Sequence, residues 1–205
     1  WPTGANPPPG QVYTITAKPP EGSGYATTAE GNVAVPGDMS LTITLQQAST
    51  FTGRVVDPRS GGAGNYAFQL SAPGLPTIQT TTGADGAFAF GVQAGAYNGH
   101  LWGYWLGPGV DAALPAYANM WSTNQVSIEG TMTGDIQLPF KQVRVRVQDP
   151  GGTPVANVDL STSASPTVCD VPLGLWQMCG YVSYWQGAGL VTDAQGDATL
   201  WLWPT

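Results

Sequence analysis

Short runs of alternating apolar and polar residues recur along this chain, and Gly, Pro or Asp residues separate them. Alternation with a period of two is typical of β-strands that bury one face. No stretch shows a convincing helical period. The pattern therefore predicts an all-β protein built from antiparallel β-sandwiches. The inward positions are Val143, Val145 and Val147 in VRVRV, Phe88 and Phe90 in AFAF, and Leu41, Ile43 and Leu45 in LTITL.

The strand pattern also repeats over a long distance. FTGRVVDP at residues 51–58 recurs as VRVRVQDP at 143–150, so Asp57 and Asp149 mark one position 92 residues apart. In both copies a Gly-rich turn, a second strand and a hairpin follow in the same order. A repeat of this length indicates tandem copies of one supersecondary unit.

The second copy contains an insertion. The glycines at the two hairpin tips, Gly86 and Gly196, are 110 residues apart rather than 92, so 18 extra residues lie in the second copy. They fall between residues 163 and 191. Cys169 and Cys179 bracket a loop in this stretch, which we therefore interpret as the insertion.

The start of the chain matches the later strands of the complete copy, since VAVPGDMSLTITL at 33–45 parallels VSIEGTMTGDIQL at 126–138. The repeat predicts three regions: C-terminal strands of one sandwich (1–48), a complete sandwich (49–140), and N-terminal strands of a further one (141–205). Trp-Pro-Thr stands at both ends of the chain. The incomplete regions are complementary, so we expect them to form one sandwich, between neighbouring molecules or successive segments of a longer chain.

The complete copy consists of a strand, a turn that begins at Asp57, a second strand, the hairpin TGADGAF and a strand with the pattern G-x-Y. The residues of this pattern are Gly53, Val55, Asp57, Thr82, Gly83, Asp85, Gly86, Phe88, Phe90, Gly95 and Tyr97. In this order they resemble carboxypeptidase regulatory-like domains of the transthyretin/Cna-B type. Segment 143–202 is also similar to bacterial Ig-like domains of the invasin type. The resemblance implies tandem Ig-like or prealbumin-like sandwiches, and it specifies a fold better than a function.

Some Cna-B-type domains carry a Lys–Asn isopeptide cross-link. The corresponding residues here are Lys141 and Asn32, with Glu30 beside them. The first strand of the complete copy contains no lysine, so a solvated Lys141 without a covalent partner is the favoured interpretation.

Charged residues make up only 9% of the chain, and the net charge is −7 with six Lys and Arg in total. No basic cluster is present, which argues against binding to nucleic acid or to anionic lipid. No apolar run approaches the roughly 20 residues that a membrane helix needs. We therefore expect neither nucleic acid nor membrane insertion among the partners.

The chain has two cysteines, Cys169 and Cys179. A disulfide between them would close a small loop, and two buried free thiols are the alternative. Nothing around them resembles a catalytic or metal-binding motif, which favours the disulfide. A disulfide in turn favours a secreted or cell-surface protein.

Catalytic motifs are not apparent. The single histidine, His100, lies in NGHLWGYW, which contains no nucleophile elbow, so an ordinary strand histidine is the favoured interpretation. Asp85, Asp193 and Asp197 stand at turns rather than in an acidic metal-binding loop. The sequence therefore predicts a non-enzymatic protein without a cofactor.

Clusters of aromatic residues are the strongest indication of function. Two-sided apolar strands such as LWGYW suggest that the outer face of a sheet is covered by a neighbouring subunit, by the inserted loop or by a glycan. The alternative is that most of these aromatic residues pack in the hydrophobic core. The candidate interface or glycan-stacking residues are Trp1, Trp102, Tyr104, Trp105, Trp176, Tyr184, Trp185, Trp201 and Trp203.

These observations predict an extracellular structural protein, the repeat unit of a head-to-tail fibre, stalk or surface assembly. Neighbouring units would share strands, so the main partner is the chain itself. The alternative is a carbohydrate-binding or adhesion module of a secreted protein, which would bind glycans.

Overall fold

The structure is a computed structural model, and it describes residues 10–20, 23–104, 115–163, 167–187 and 189–205. Strands, turns and bends account for these residues without an α-helix, which confirms the predicted all-β fold. No helix long and apolar enough to cross a membrane occurs in them. In chain order the strands are β1 (Val12–Ala17), β2 (Thr28–Ala34), β3 (Ser49–Val56), β4 (Tyr66–Ser71), β5 (Ile78–Thr81), β6 (Ala87–Val92), β7 (Gly95–Tyr104), β8 (Tyr117–Ser122), β9 (Val126–Ile128), β10 (Thr131–Thr133), β11 (Ile136–Gln137), β12 (Lys141–Arg146), β13 (Val168–Leu173), β14 (Trp176–Ser183) and β15 (Asp197–Leu202).

Two sheets pack face to face in residues 49–140, which we name the central sandwich. In its first sheet, β3 pairs with antiparallel β6 and with β10 and β11, which run parallel to it. Its second sheet has the order β5-β4-β7-β8, and β9 pairs with the first residues of β7. Phe51 and Phe88 of the first sheet pack on Phe68 of the second, with ring centroids 6.4 and 5.1 Å apart. Phe88 and Phe90 are buried, as the alternation in AFAF predicts.

The Cys-bracketed segment forms a hairpin that extends the second sheet of the central sandwich. β13 pairs with β14, and β14 pairs with β8. A disulfide joins Cys169 and Cys179 across the hairpin. Trp176 is buried against Phe51, and its Nε1 donates a hydrogen bond of 3.2 Å to the carbonyl oxygen of Tyr97. The inserted segment therefore contributes to the core of the strands that precede it.

Two regions of the chain are held by matching turn hydrogen bonds. Asp57 Oδ1 accepts from the backbone N–H groups two and four residues later, at 2.7 and 3.0 Å, and Asp149 Oδ1 does the same at 2.8 Å each. At the hairpin tips, Gly86 and Gly196 each donate an N–H to the carbonyl three residues earlier. Their φ angles are +81° and +73°, which glycine adopts without steric cost.

β1 and β2 form a hairpin whose register matches that of β7 with β8 and β9. The pairing of Tyr13 with Val33 corresponds to that of Tyr97 with Val126. The residue pairs at the other end of the β1–β2 hairpin correspond in the same way to pairs between β7 and β8. Residues 38–45 contain the predicted strand LTITL, but they form no strand in the structure. Their counterparts β10 and β11 are held by pairing with β3, and no described strand pairs with 38–45.

β12 and β15 form an antiparallel pair beside a small second core. Its buried members are Tyr184, Leu190 and Leu200. Within the described part of the chain, β12 has β15 on one edge and no strand on the other. The three valines of VRVRV are therefore incompletely covered: Val143 is exposed and the other two are half-buried.

Candidate assembly surfaces

Apolar residues near the start of the chain are exposed although their counterparts in the central sandwich are buried. The counterpart of a residue is the one at the matching position, as given by the registers of β1–β2 and β7–β9 and by the alignment of residues 33–45 with 126–138. Tyr13 is 46% exposed, whereas Tyr97 is 1% exposed. Val35 is 52% exposed, whereas Ile128 is fully buried. A face that is buried in a complete sandwich is therefore open here.

This open face borders a groove of about 730 Å³ between β1 and the end of β2. Ile15 lies in its lining with Tyr13 and Val35, and Met39 is 51% exposed in the segment that follows. Exposed apolar patches of this kind mark interaction surfaces. We name these four residues the N-terminal open face.

A second open face lies at the other end of the described chain. Val143 on β12 is 37% exposed, whereas its counterpart Phe51 on β3 is 1% exposed. Val147 and Leu160 are half-buried, although the positions they match in the central sandwich are buried. We name Val143, Val147 and Leu160, with the free edge of β12, the C-terminal open face. An unpaired strand edge is a template for another strand.

The two open faces differ in charge. β12 carries Lys141, Arg144 and Arg146, whereas residues 38–45 carry Asp38 and no Lys or Arg. Lys18 follows β1, whereas Asp159 precedes Leu160. Arg146 Nη2 lies 2.6 Å from Asp197 Oδ2 on the neighbouring strand. Its hydrogen bond lowers the pKa of Asp197 from the usual value. Opposite charge favours the encounter of the two faces over the encounter of like faces.

Aromatic rings cover the outer side of the second sheet of the central sandwich. Alternate residues point outward along each strand. The outward residues are His100, Trp102 and Tyr104 on β7, Tyr117, Asn119 and Trp121 on β8, and Tyr181 on β14, and we name them the outer aromatic face. Tyr117 lies between Tyr104 and Tyr181, with ring centroids 4.7 and 5.8 Å away. Trp121 lies 6.4 Å from Tyr181.

The outer aromatic face contains polar atoms but no Asp, Glu, Lys or Arg. His100 Nε2 lies 2.7 Å from Asn119 Oδ1, and its ring packs on Trp102 with centroids 4.4 Å apart. Burial, and next the hydrogen bond with Tyr181, raise the pKa of Tyr117 to about 12. Tyr117 is therefore neutral at physiological pH.

The residues predicted as interface or glycan contacts fall into three groups. Trp102 and Tyr104 belong to the outer aromatic face, and Trp185 is exposed with its ring 6.5 Å from Tyr104. Trp176, Tyr184 and Trp203 are buried and Trp201 is half-buried, so their rings pack within the chain. Trp1 and Trp105 lie outside the described residues. Sequence reasoning did not single out Trp121, although YANMWS places an aromatic or amide residue at every second position.

The described residues hold no group of three or more His, Cys, Asp or Glu side chains able to bind a metal ion. His100 contacts an amide and an indole, neither of which is a partner in a catalytic triad. Asp193 Oδ1 accepts the backbone N–H groups of Gln195 and Asp197 at 2.8 and 2.9 Å, which is a turn-forming role. The interpretation of Lys141 as a solvated lysine, which the sequence favours over a cross-link to Asn32, stays a prediction.

Comparison with known proteins assigns no family to the chain. No family model matches it, and no curated protein matches it. Among solved structures, a streptococcal ancillary pilin is similar at 12% sequence identity, over 96% of this chain and 72% of the pilin chain, with a TM-score of 0.28. A similarity of that size does not carry function from one protein to the other.

Proposed function

We propose that the chain is a non-enzymatic extracellular structural protein whose copies join head to tail. In this proposal residues 1–48 are the back of one sandwich repeat, 49–140 are a complete repeat, and 141–205 are the front of another. The N-terminal open face of one molecule closes the C-terminal open face of the next. The result is a fibre, stalk or surface layer made of continuous sandwiches.

One observation carries the proposal: three apolar positions that are buried in the central sandwich are exposed at Tyr13, Val35 and Val143. Tyr13 and Tyr97 share a strand register but differ in exposure by 45 percentage points, from 46% to 1%. Val143 and Phe51 differ in the same direction. Burying a large apolar side chain contributes about 1.5–3 kcal/mol. Because these side chains are already partly covered, association of the two faces would recover a part of this free energy at each of them.

The hydrogen bonds of the turns support the repeat on which the proposal depends. Thr82 Oγ1 accepts from Tyr66 N and donates to the carbonyl of Ala63, at 2.9 and 2.8 Å. Thr192 Oγ1 makes the equivalent bonds, at 3.0 and 2.8 Å. Together with the turns at Asp57 and Asp149, these bonds support the interpretation that the outer regions are parts of repeats.

The disulfide supports an extracellular setting. Disulfides persist in oxidising compartments and are rare in the reducing cytosol. Cys169 and Cys179 are bonded, and the described chain has no free cysteine. A secreted or cell-surface location also suits an assembly made from copies of one chain.

Sedimentation velocity over a concentration series tests the proposal. We expect the wild-type chain to form a ladder of oligomers that lengthens with concentration. Val35→Glu and Val143→Glu should each weaken association at least about 30-fold, because assembly would bury an unpaired carboxylate at a cost of about 2 kcal/mol or more. Both residues are exposed in the single chain, so folding should be unaffected.

Val191→Glu is the matched control for these variants. Val191 is 47% exposed, but its counterpart Thr81 is exposed in the central sandwich too. This variant should associate like the wild type. A wild-type chain that stays monomeric up to millimolar concentration would overturn the proposal, as would unimpaired association of Val35→Glu and Val143→Glu.

The outer aromatic face favours a second function, which is binding to a neutral glycan. Flat rings that carry polar tips suit the apolar and hydroxyl-bearing faces of a sugar. A glycan array should show binding that Trp102→Ala abolishes and that Tyr25→Ala, at an exposed tyrosine elsewhere, leaves unchanged. Binding that survives Trp102→Ala would contradict this function.

A further inference from the structure

We infer that two strand pairings in a defined register join neighbouring copies of this chain. Residues 38–45 of one copy pair in parallel with β12 of the next, and β1 pairs antiparallel with residues 159–163 of that same neighbour. The inference rests on the proposed function and specifies the atoms that it brings together.

The parallel pairing follows from β10 and β11 of the central sandwich. Met132 lies opposite Phe51, and Ile136 lies opposite Val55, with one constant offset along the whole pairing. The repeat correspondence places Met39 at the position of Met132 and Val143 at that of Phe51. It likewise sets Ile43 opposite Val147. The exposed residues of the two open faces therefore meet each other.

The antiparallel pairing follows from β4 and β7. Phe68 lies opposite Leu101 in the central sandwich, and the corresponding residues are Leu160 and Ala17. Leu160 N donates to the carbonyl of Leu190 at 2.9 Å, and Thr162 N to that of Tyr184 at 2.8 Å. These bonds occupy one edge of the segment. The residues between them present their N–H groups to the opposite edge. In the described chain no strand pairs with that edge.

The proposed junction between two copies differs from the central sandwich at one pair of residues, and both residues of that pair are different in the junction. A Cβ on Gly53 would overlap the carbonyl oxygen of Gly134, so β10 and β11 are interrupted where they pass a glycine. The counterparts are Val145 and Leu41, neither of which is glycine. Residues 38–45 must therefore pass β12 as an uninterrupted strand. The β-branched sequence of LTITL suits that conformation.

A second copy of the chain is the occupant that the charges favour. The edge of β12 carries Lys141, Arg144 and Arg146, and Asp38 is the only charged residue in the approaching segment 38–45. In the second pairing, the register of Ala67 with Trp102 sets Asp159 opposite Lys18. Copies placed like face to like face would set cations against cations. Head-to-tail pairing is therefore favoured over a symmetric dimer.

Cysteine cross-linking tests the register. Thr52 Oγ1 and Thr133 Oγ1 lie 3.4 Å apart in the central sandwich, and the counterparts of these residues are Arg144 and Ser40. Ser40 and Arg144 are both exposed in the single chain. The experiment mixes two separate variants of the full chain, Ser40→Cys and Arg144→Cys, and oxidises the mixture mildly. We expect a heterodimeric disulfide on a non-reducing gel.

Thr42→Cys mixed with Arg144→Cys is the matched control, because residue 42 lies two positions, about 6.6 Å, further along the strand. The in-register mixture should cross-link at least about tenfold more than this control. A control that cross-links equally or better would overturn the register. Sedimentation of the same mixtures under reducing conditions separates the two proposals.

Association without the Ser40–Arg144 cross-link would overturn this inference and leave the proposed function standing. Absence of both association and cross-link would overturn both. Homodimers of Ser40→Cys as abundant as the heterodimer would show a symmetric contact and would also overturn the inference.

Discussion

At the residue scale, single side-chain oxygens hold the turns of this protein. Thr82 is buried, and its hydroxyl accepts a hydrogen bond from the backbone N–H of Tyr66 and donates one to the carbonyl of Ala63. Regular strand pairing leaves these two backbone groups without a partner. Thr192 does the same in the C-terminal region. A buried polar backbone group without a partner is costly, so these hydroxyls determine the conformation of the chain between two strands.

Replacing Thr82 with valine keeps the shape of the side chain and removes both hydrogen bonds. We expect Thr82→Val to lower the free energy of unfolding by about 1–3 kcal/mol, because it leaves the N–H of Tyr66 and the carbonyl of Ala63 unsatisfied. Chemical denaturation monitored by tryptophan fluorescence measures the change. Thr81→Val, at the exposed neighbouring position, should change stability by less than about 0.5 kcal/mol. Equal effects of the two variants would contradict this role of the Thr82 hydroxyl.

At the element scale, the β13–β14 hairpin is the least expected part of the fold. It belongs by sequence to the C-terminal region, yet its strand β14 pairs with β8 of the central sandwich. Its Trp176 is buried against Phe51 and hydrogen-bonds to the carbonyl of Tyr97. Because the hairpin supplies part of the central core, the disulfide that closes it should affect the whole sandwich.

Reduction of the disulfide should lower the free energy of unfolding of the central sandwich by about 2–3 kcal/mol, from the chain entropy of the small loop that Cys169 and Cys179 close. Urea denaturation with and without reductant measures the shift. The double variant Cys169→Ala/Cys179→Ala should show a similar loss and no response to reductant. If the hairpin unfolded separately, leaving the main transition unmoved, this account of the hairpin would be wrong.

The sequence was sufficient to predict elements whose partners lie within the same region. AFAF forms the predicted strand with Phe88 and Phe90 inward, because β3 pairs with its edge and Phe68 of the other sheet packs on both rings. LTITL predicted a strand equally well from residues 41–45, but a strand needs a partner, and no described strand pairs with it. The β-propensity and alternation of a segment specify which of its faces is apolar. Whether the segment pairs as a strand depends on whether a neighbouring strand is present.

The surfaces were harder to predict than the strands for the same reason. Trp176 and Trp102 both stand in aromatic-rich runs, yet Trp176 is buried and Trp102 faces outward on β7. The difference arises from the pairing of β14 with β8, which joins residues separated by some 60 positions in the chain. The residues near Trp176 and Trp102 in the sequence therefore do not predict that β14 pairs with β8.

At the scale of the whole molecule, the central sandwich buries apolar residues whose counterparts Tyr13, Val35 and Val143 are exposed. The N-terminal open face is apolar, with Asp38 and Lys18 near it, and the C-terminal open face has a free strand edge with basic residues and Asp159 near it. Heterologous contacts of this kind generate open-ended assemblies rather than closed dimers. The central claim of our account is that each open face covers the other in a neighbouring copy.

Mixing the two blocked variants tests this claim most directly. Val35→Glu retains an intact C-terminal open face, and Val143→Glu retains an intact N-terminal open face. Each variant alone should sediment as a monomer, and an equimolar mixture should form a 1:1 heterodimer that grows no further. A mixture that stays monomeric, or one that forms long oligomers, would contradict the claim.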